Sequence, residues 1–147
     1  MSSKRNIILG VIAVIVVGFI VLQVIPGFAP TNPAVQYKVT WSSAETASMM
    51  RRACYDCHSN ETIWPWYAQF APISWLVVHD VNEGRQKLNF SEGTGEMEAR
   101  ELIRQIESDK MPPKIYLTMH PDANLTADEK AALIAGIQAT SFTGAGG

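Results

Sequence analysis

One apolar run near the N-terminus divides this chain into two parts that meet different solvents. From Ile7 to Ile25 only Gln23 has a polar side chain. A helix of this length, rising 1.5 Å per residue, reaches about 28 Å, which is close to the hydrocarbon thickness of a bilayer. The run therefore predicts a transmembrane helix over residues 7–25, preceded by a cytoplasmic N-terminus of residues 1–6.

The charges on either side of the run predict its orientation. Lys4 and Arg5 directly precede it, whereas the first basic residue after it is Lys38. Basic residues favour the cytoplasmic side, so the rest of the chain is expected outside the cytosol. A cleaved signal peptide shares these features, but its apolar core usually has only about 7–15 residues. Pro30 also follows the best cleavage candidate, residues 27–29, so an uncleaved anchor is the favoured interpretation.

The part beyond the run is large enough for one folded unit only. Prolines make residues 26–38 a semi-extended linker, residues 39–139 form the predicted domain, and the glycine-rich tail 140–147 has little to bury. With 147 residues in all, a second domain is excluded. From Thr31 onward 10 Lys and Arg stand against 14 Asp and Glu. The resulting charge of about −4 cannot neutralise a phosphate backbone, so nucleic acid is not an expected partner.

Start signals and apolar spacing predict an all-α soluble part. No stretch alternates with a period of two for long enough to form a sheet. Four segments combine a helix start with apolar residues at steps of three and four. They are residues 43–56 after a Ser42–Glu45 capping box, residues 72–87 from Pro72, the stretch from Thr94 to Met111-Pro112-Pro113, and a last helix opened by a Thr126–Glu129 capping box.

The motif that carries chemistry is Cys54-Tyr55-Asp56-Cys57-His58. It matches C-x-x-C-H, the attachment signature of a c-type haem. Two thiols three residues apart on a helical turn can add across the two vinyl groups of one porphyrin edge. The next residue then puts its imidazole under the iron, so His58 is the predicted proximal ligand. A covalent haem would also give this small domain a hydrophobic centre.

Two other kinds of site could use the same cysteines. A thioredoxin-like redox pair needs a βαβ context, and the sequence pattern contains none. A zinc site needs four ligands, and the chain has no further cysteine. Two of His58, His79 and His120, or a carboxylate, would have to complete it. Both alternatives are weaker than covalent haem in an exported domain.

The second axial ligand is predicted to be Met111. It lies 53 residues beyond His58 and directly before two prolines, which stiffen an extended loop. A thioether favours ferrous iron and raises the potential relative to a second histidine. Met119, His120 and His79 remain rival ligands, and Met111 could instead be a core residue at a helix end.

Several residues near the motif have weaker predicted roles. Arg51, Arg52 and Arg85 could pair with haem propionates, because guanidinium matches carboxylate geometry, or could simply be solvated. Tyr116 could place its hydroxyl near the distal methionine or a propionate. The aromatic residues near the prolines are expected in the core more than in a site. These aromatic residues are Trp64, Trp66, Tyr67 and Trp75.

Three stretches carry a resemblance to a known family: RRACYDCHSNETIWPWY, APISWLVVHDVNEGRQKLNFSE and MPPKIYLTMHPDANLTADEKAALIAGI. They resemble the bacterial haem-binding domain family, small cytochrome-c-like proteins usually carried on an N-terminal membrane helix. The resemblance covers about residues 50–137. It implies a cytochrome-c-like domain around one covalent haem, with Cys54 and Cys57 as attachment sites, His58 as proximal ligand and Met111 as distal ligand. Gly93 stands where family members often have a tryptophan soon after L-N-F-S.

These features together predict a membrane-anchored monohaem c-type cytochrome. It would pass single electrons between membrane or periplasmic redox proteins at the periplasmic face of a bacterial inner membrane. It would transform no small-molecule substrate and would not be an enzyme. Its negative charge would favour a basic patch on the partner. The alternatives are a haem sensor or peroxidase-like protein with a labile sixth ligand, and a fixed haem subunit of a larger membrane redox complex.

Overall fold

A computed structural model describes residues 2–25, 29–93 and 96–142, and this part of the chain is helical with no β-strand. The all-α prediction is therefore confirmed for these residues. Thr94, proposed as a helix start, lies outside the described residues, as do residues 26–28 of the linker and 143–147 of the tail. The chain divides into two compact units, Met1–Thr31 with Trp64–Asp80, and Asn32–Ile63 with Val81–Gly147.

The first unit contains the apolar helix. Helix α1 covers Ser2–Gln23, and none of its 18-residue apolar window is buried. It is long and apolar enough to cross a membrane, a test that an N-terminal signal sequence also passes. The helix begins before the predicted span and ends two residues short of Ile25. The same unit holds a 3₁₀ helix, Trp66–Gln69, and the first half of α4, which covers Ile73–Lys87.

The second unit contains the C-x-x-C-H motif and the main hydrophobic core. Its helices are α2 (Ala44–Ala53), α3 (Tyr55–His58), the end of α4, α5 (Glu96–Glu107), α6 (Lys114–Met119) and α7 (Ala127–Gln138), with a 3₁₀ helix at Pro121–Ala123. Helix α7 packs against both α2 and α5. Met50, Phe90, Leu133 and Ile137 are almost fully buried between them.

The caps explain where two of these helices begin. Thr126 and Glu129 form the predicted capping box at the start of α7, with both reciprocal hydrogen bonds present. The capping box predicted at Ser42 is wrong. The N-cap of α2 is Ser43, whose hydroxyl accepts from the Thr46 N–H at 3.0 Å, while Ser42 Oγ donates to Gly136 O of α7. Tertiary contact thus decided which of two adjacent serines caps the helix.

The number and lengths of the predicted helices also need correction. The helix predicted over 43–56 ends at Ala53, because Cys54 has φ −129°, far from the helical value of about −63°. Helix α5 ends at Glu107 rather than next to Met111, and Asp109 follows with a left-handed φ of 54°. Helix α3 takes up the end of the predicted 43–56 helix as a separate turn, and α6 is an additional helix that the sequence pattern does not predict, because six residues are too few to show a helical period.

Candidate haem site

The C-x-x-C-H motif forms a single helical turn directly after α2. The N–H groups of Cys57 and His58 both donate to Cys54 O, at 3.2 and 2.9 Å. Cys54 is the N-cap of the short helix α3, and Cys57 and His58 are its last two residues, so one turn carries both sulfurs and the imidazole. The local geometry is therefore the one that the motif spacing predicted.

Tyr55, the second residue of the motif, packs into the hydrophobic core and holds the turn against it. Its side chain is buried, and its ring stacks on Phe90 with centroids 5.3 Å apart and planes 22° apart. The Tyr55 hydroxyl accepts a hydrogen bond from Trp41 Nε1 at 3.0 Å. Burial raises the pKa of Tyr55. The first variable position of the motif thus anchors the turn to the hydrophobic core.

The imidazole of His58 is held in one tautomer. Its Nδ1 lies 3.0 Å from Gly84 O and 3.1 Å from Leu88 O. A carbonyl oxygen can only accept, so Nδ1 must carry the proton and the lone pair is on Nε2. Burial lowers the pKa of His58, which favours the neutral ring. A neutral imidazole whose second nitrogen donates to backbone oxygen is the arrangement typical of metal-bound histidines.

Gly84 permits this arrangement because it has no side chain. A Cβ at this position would lie 2.5 Å from Cys57 O and 3.2 Å from Cys57 Cβ. The last turn of α4 therefore touches the backbone of the motif directly. The contact brings the Gly84 and Leu88 carbonyls within hydrogen-bond distance of His58.

The two cysteines are present as thiols and not as a disulfide. Cys54 is buried, and burial, with a smaller contribution from the charge of Cys57, raises the pKa of its thiol to about 12. A redox pair needs a thiolate of lowered pKa, so this environment disfavours thiol–disulfide exchange. Among the described residues no group of three or more His, Cys, Asp or Glu side chains could hold a metal ion.

A segment that the sequence pattern did not single out for a role, residues 88–91, secures the chain after His58. Phe90 N–H donates to His58 O at 2.8 Å, and Ser91 Oγ accepts from Asn60 N–H at 2.9 Å. Asn89 Nδ2 donates to Asn60 Oδ1, also at 2.9 Å. These residues are the L-N-F-S stretch of the family resemblance. Their contacts give that stretch a structural role: it holds His58 and the residues that follow it.

Asp56 connects the motif to α6. Its Oδ1 accepts from Ile63 N–H at 2.9 Å, and its Oδ2 accepts from the hydroxyl of Tyr116 at 2.9 Å. Burial and the adjacent Asp56 carboxylate raise the pKa of Tyr116, and both motif thiols add to this effect. The hydroxyl of Tyr116 therefore lies at the motif, bound to a carboxylate of the chain itself. Its predicted contact with a methionine or a propionate stays untested.

The candidates for the second axial ligand differ in their surroundings. Met111 is half-buried, five residues before Tyr116, and its N–H donates to Gln105 O at 3.3 Å. Met119 and His79 are exposed. His120 is half-buried, its ring stacks on Tyr116 at 4.0 Å, and its Nδ1 lies 3.1 Å from the Tyr116 carbonyl. Since that carbonyl only accepts, Nδ1 of His120 carries a proton, and Nε2 is the nitrogen that could bind a metal when the ring is neutral.

The three arginines all interact with other parts of the protein. Two ion pairs hold Arg51 to Glu61 at 3.5 Å and Arg52 to Glu129 at 2.6 Å, the second of which ties α2 to α7. The guanidinium of Arg85 donates to Ser59 O, Thr62 Oγ1 and Asn32 Oδ1, each at 2.8 Å. Arg85 therefore clamps the loop that follows His58. The propionate role of Arg51 and Arg52 stays a prediction.

The chemistry of this donor set suits a haem. Two thiols and an imidazole with its lone pair on Nε2 lie on one turn, and backbone oxygens hold the proton of Nδ1. The fold and the site thus define a small helical haem-binding protein. The model of the family described as Haem-binding domain matches residues 17–139, and the chain belongs to this family. No curated protein and no solved structure matches the chain.

Proposed function

We propose that this protein is a membrane-anchored monohaem c-type cytochrome that transfers single electrons. The observation that carries the proposal is the locked tautomer of His58, one residue after two thiols at C-x-x-C-H spacing. Membership of a haem-binding family does not by itself require covalent attachment or a histidine with its proton on Nδ1. Their combination supports c-type attachment with His58 Nε2 as an axial ligand.

Different residues of the chain would attach the haem, bind its iron and orient the histidine. Cys54 and Cys57 would provide the sulfurs for two thioether bonds, and His58 would provide the nitrogen ligand. Gly84 O and Leu88 O fix the ring orientation and increase the basicity of Nε2. A bound haem would supply an iron that changes between the ferric and ferrous states.

The anchor and its orientation support a site on the periplasmic side. Helix α1 is long enough to span, with Lys4 and Arg5 at its N-terminal end. By the positive-inside bias, the C-x-x-C-H motif would lie outside the cytosol, where haem is attached to such sequences. Tethering to the membrane raises the effective concentration near other membrane redox proteins. These redox proteins are the proposed partners.

An absorption spectrum of the full-length protein tests the function directly. The protein is produced in a bacterium that matures c-type cytochromes, and oxidised, reduced and pyridine haemochrome spectra are recorded. The expected result is a c-type haemochrome, one haem per chain, that stays bound through acid–organic extraction. Cys54→Ala with Cys57→Ala should lose the covalent haem, and Ser108→Ala, an exposed substitution, serves as the matched control.

The electron-carrier assignment has its own test. A carrier keeps both axial ligands, so the reduced protein should not bind carbon monoxide rapidly and stoichiometrically. Rapid stoichiometric binding would point instead to an open sixth position, as in a sensor or a peroxidase-like protein. Correctly folded protein without covalent haem, from a host that matures a reference cytochrome, would contradict the c-type assignment.

A further inference from the structure

An aromatic segment, residues 64–78, exposes large apolar side chains. It contains no Asp, Glu, Lys or Arg. Trp66 is 77% exposed, so the core position expected for this residue is wrong. Phe70, Ile73 and Leu76 are each about half exposed, at 49%, 51% and 52%. Several exposed large apolar side chains within one short uncharged segment are typical of a binding surface for protein or for lipid.

Gln23 connects this segment to the end of the apolar helix. It is the last residue of α1 and the only polar side chain between Ile7 and Ile25. Its Oε1 accepts from Ala71 N–H at 2.9 Å, and its Nε2 donates to Ala71 O at 3.2 Å. One side-chain amide thus satisfies both backbone groups of Ala71. These two bonds explain why a polar residue is present in an otherwise apolar run.

The position of Gln23 sets the depth of the segment, if α1 spans the bilayer. From Ile7 to Gln23 the helix rises about 25 Å, close to the thickness of the hydrocarbon layer. Gln23 therefore lies near the outer boundary between hydrocarbon and water. Ala71, bound to Gln23, lies at the same level. Trp66 and Phe70, a few residues away in the same unit, are then close to the headgroups.

We propose that the aromatic segment is immersed in the outer membrane–water interface, with lipid as the partner of its exposed apolar side chains. Tryptophan and tyrosine concentrate at this level of a bilayer, because their rings are apolar with one polar edge. The absence of charge from the segment removes the main cost of entering the interface. This inference rests on the proposed membrane anchor, and it adds a second contact between the chain and the lipid.

Photolabelling of the full-length protein tests the inference. The protein is reconstituted in vesicles of phosphatidylcholine and phosphatidylglycerol, and a hydrophobic phenyldiazirine dissolved in the lipid is activated by light. Hydroxyl-radical footprinting of the same sample reports contact with water. Labels are located by mass spectrometry of the peptides from α1, the aromatic segment and α7.

The expected result is carbene label in both α1 and the aromatic segment, about tenfold above α7, with Trp66 and Phe70 protected from hydroxyl radicals. A Trp66→Ser, Phe70→Ser variant should lose the segment's carbene label, whereas Ile115→Ser, which alters a 69% exposed side chain of α6, should not change it.

Two results would overturn the inference, and they are distinguishable. Label in α1 without label in the aromatic segment would leave the anchor in place and refute the lipid contact. In that case, radical protection that grows with protein density would indicate a second copy as the occupant, and oxidation of Trp66 would indicate water. Absence of label from α1 as well would refute the proposed anchor and the inference with it.

Discussion

Replacing Gly84 by alanine should destabilise the site, although the same change normally stabilises a helix. In an ordinary helix interior, Gly→Ala gains about 1 kcal/mol. Here the new Cβ would lie 2.5 Å from Cys57 O, about 0.9 Å closer than ordinary contact allows. Because the neighbour is backbone, relieving the overlap requires the last turn of α4 to move. Overpacking of this kind costs about 1–3 kcal/mol, so after the helical gain is subtracted the net effect should be a loss of up to about 2 kcal/mol.

The same movement of α4 would also displace a hydrogen-bond acceptor of His58. The Nδ1–Gly84 O distance is 3.0 Å, and a retreat of this size would take it beyond hydrogen-bond range. Loss of such a partner typically weakens a metal site about 10–100-fold. We therefore expect Gly84→Ala to lower the fraction of chains with covalent haem and to raise the reduction potential, because Nε2 of His58 becomes less basic.

Haem content by pyridine haemochrome, redox titration and thermal unfolding in detergent measure the three effects. Gly18→Ala in α1 is the matched control, since a Cβ there meets nothing within 4 Å. If Gly84→Ala equals Gly18→Ala in haem content, potential and Tm, the close contact between α4 and the motif does not exist in solution.

Three further predictions follow from the site. Tyr116→Phe removes a hydrogen bond to a motif carboxylate and should cost about 1–2 kcal/mol in thermal unfolding, and stability equal to the parent protein would contradict the α6 contact. Met111→Ala should abolish the sulfur-to-iron charge-transfer band, whereas His120→Ala should leave it intact. If His120→Ala loses the low-spin spectrum and Met111→Ala keeps it, the distal ligand is His120 and not Met111. The side-chain hydrogen bond from Arg52 lowers the pKa of Glu129 to about 2. The ionised Glu129 carboxylate should therefore stabilise the fold fully above about pH 4.5, and this contribution should be lost as the pH falls towards 2. In Glu129→Gln the free energy of unfolding should depend less steeply on pH between about 4.5 and 2, and its pH dependence should be unchanged above that window.

The sequence alone predicted the elements whose signal is local. An apolar run of membrane length, a capping box at Thr126 and a proline before α4 each act within one or two turns, and the structure confirms a long apolar helix and both helix starts. The C-x-x-C-H spacing and the accompanying stretches predicted the haem-binding family, and membership is confirmed. The roles of individual site residues, Met111 above all, stay predictions.

Only the tertiary structure decided what surrounds the motif. The acceptors that fix His58 are the backbone carbonyls of Gly84 and Leu88, and a carbonyl has no side-chain signature. Tyr116 meets Asp56 across sixty positions of sequence, through a helix too short to show a period. Local sequence patterns show which chemical groups are present and where each helix begins. Which group lies opposite another depends on how separate helices pack, and packing is a property of the whole chain.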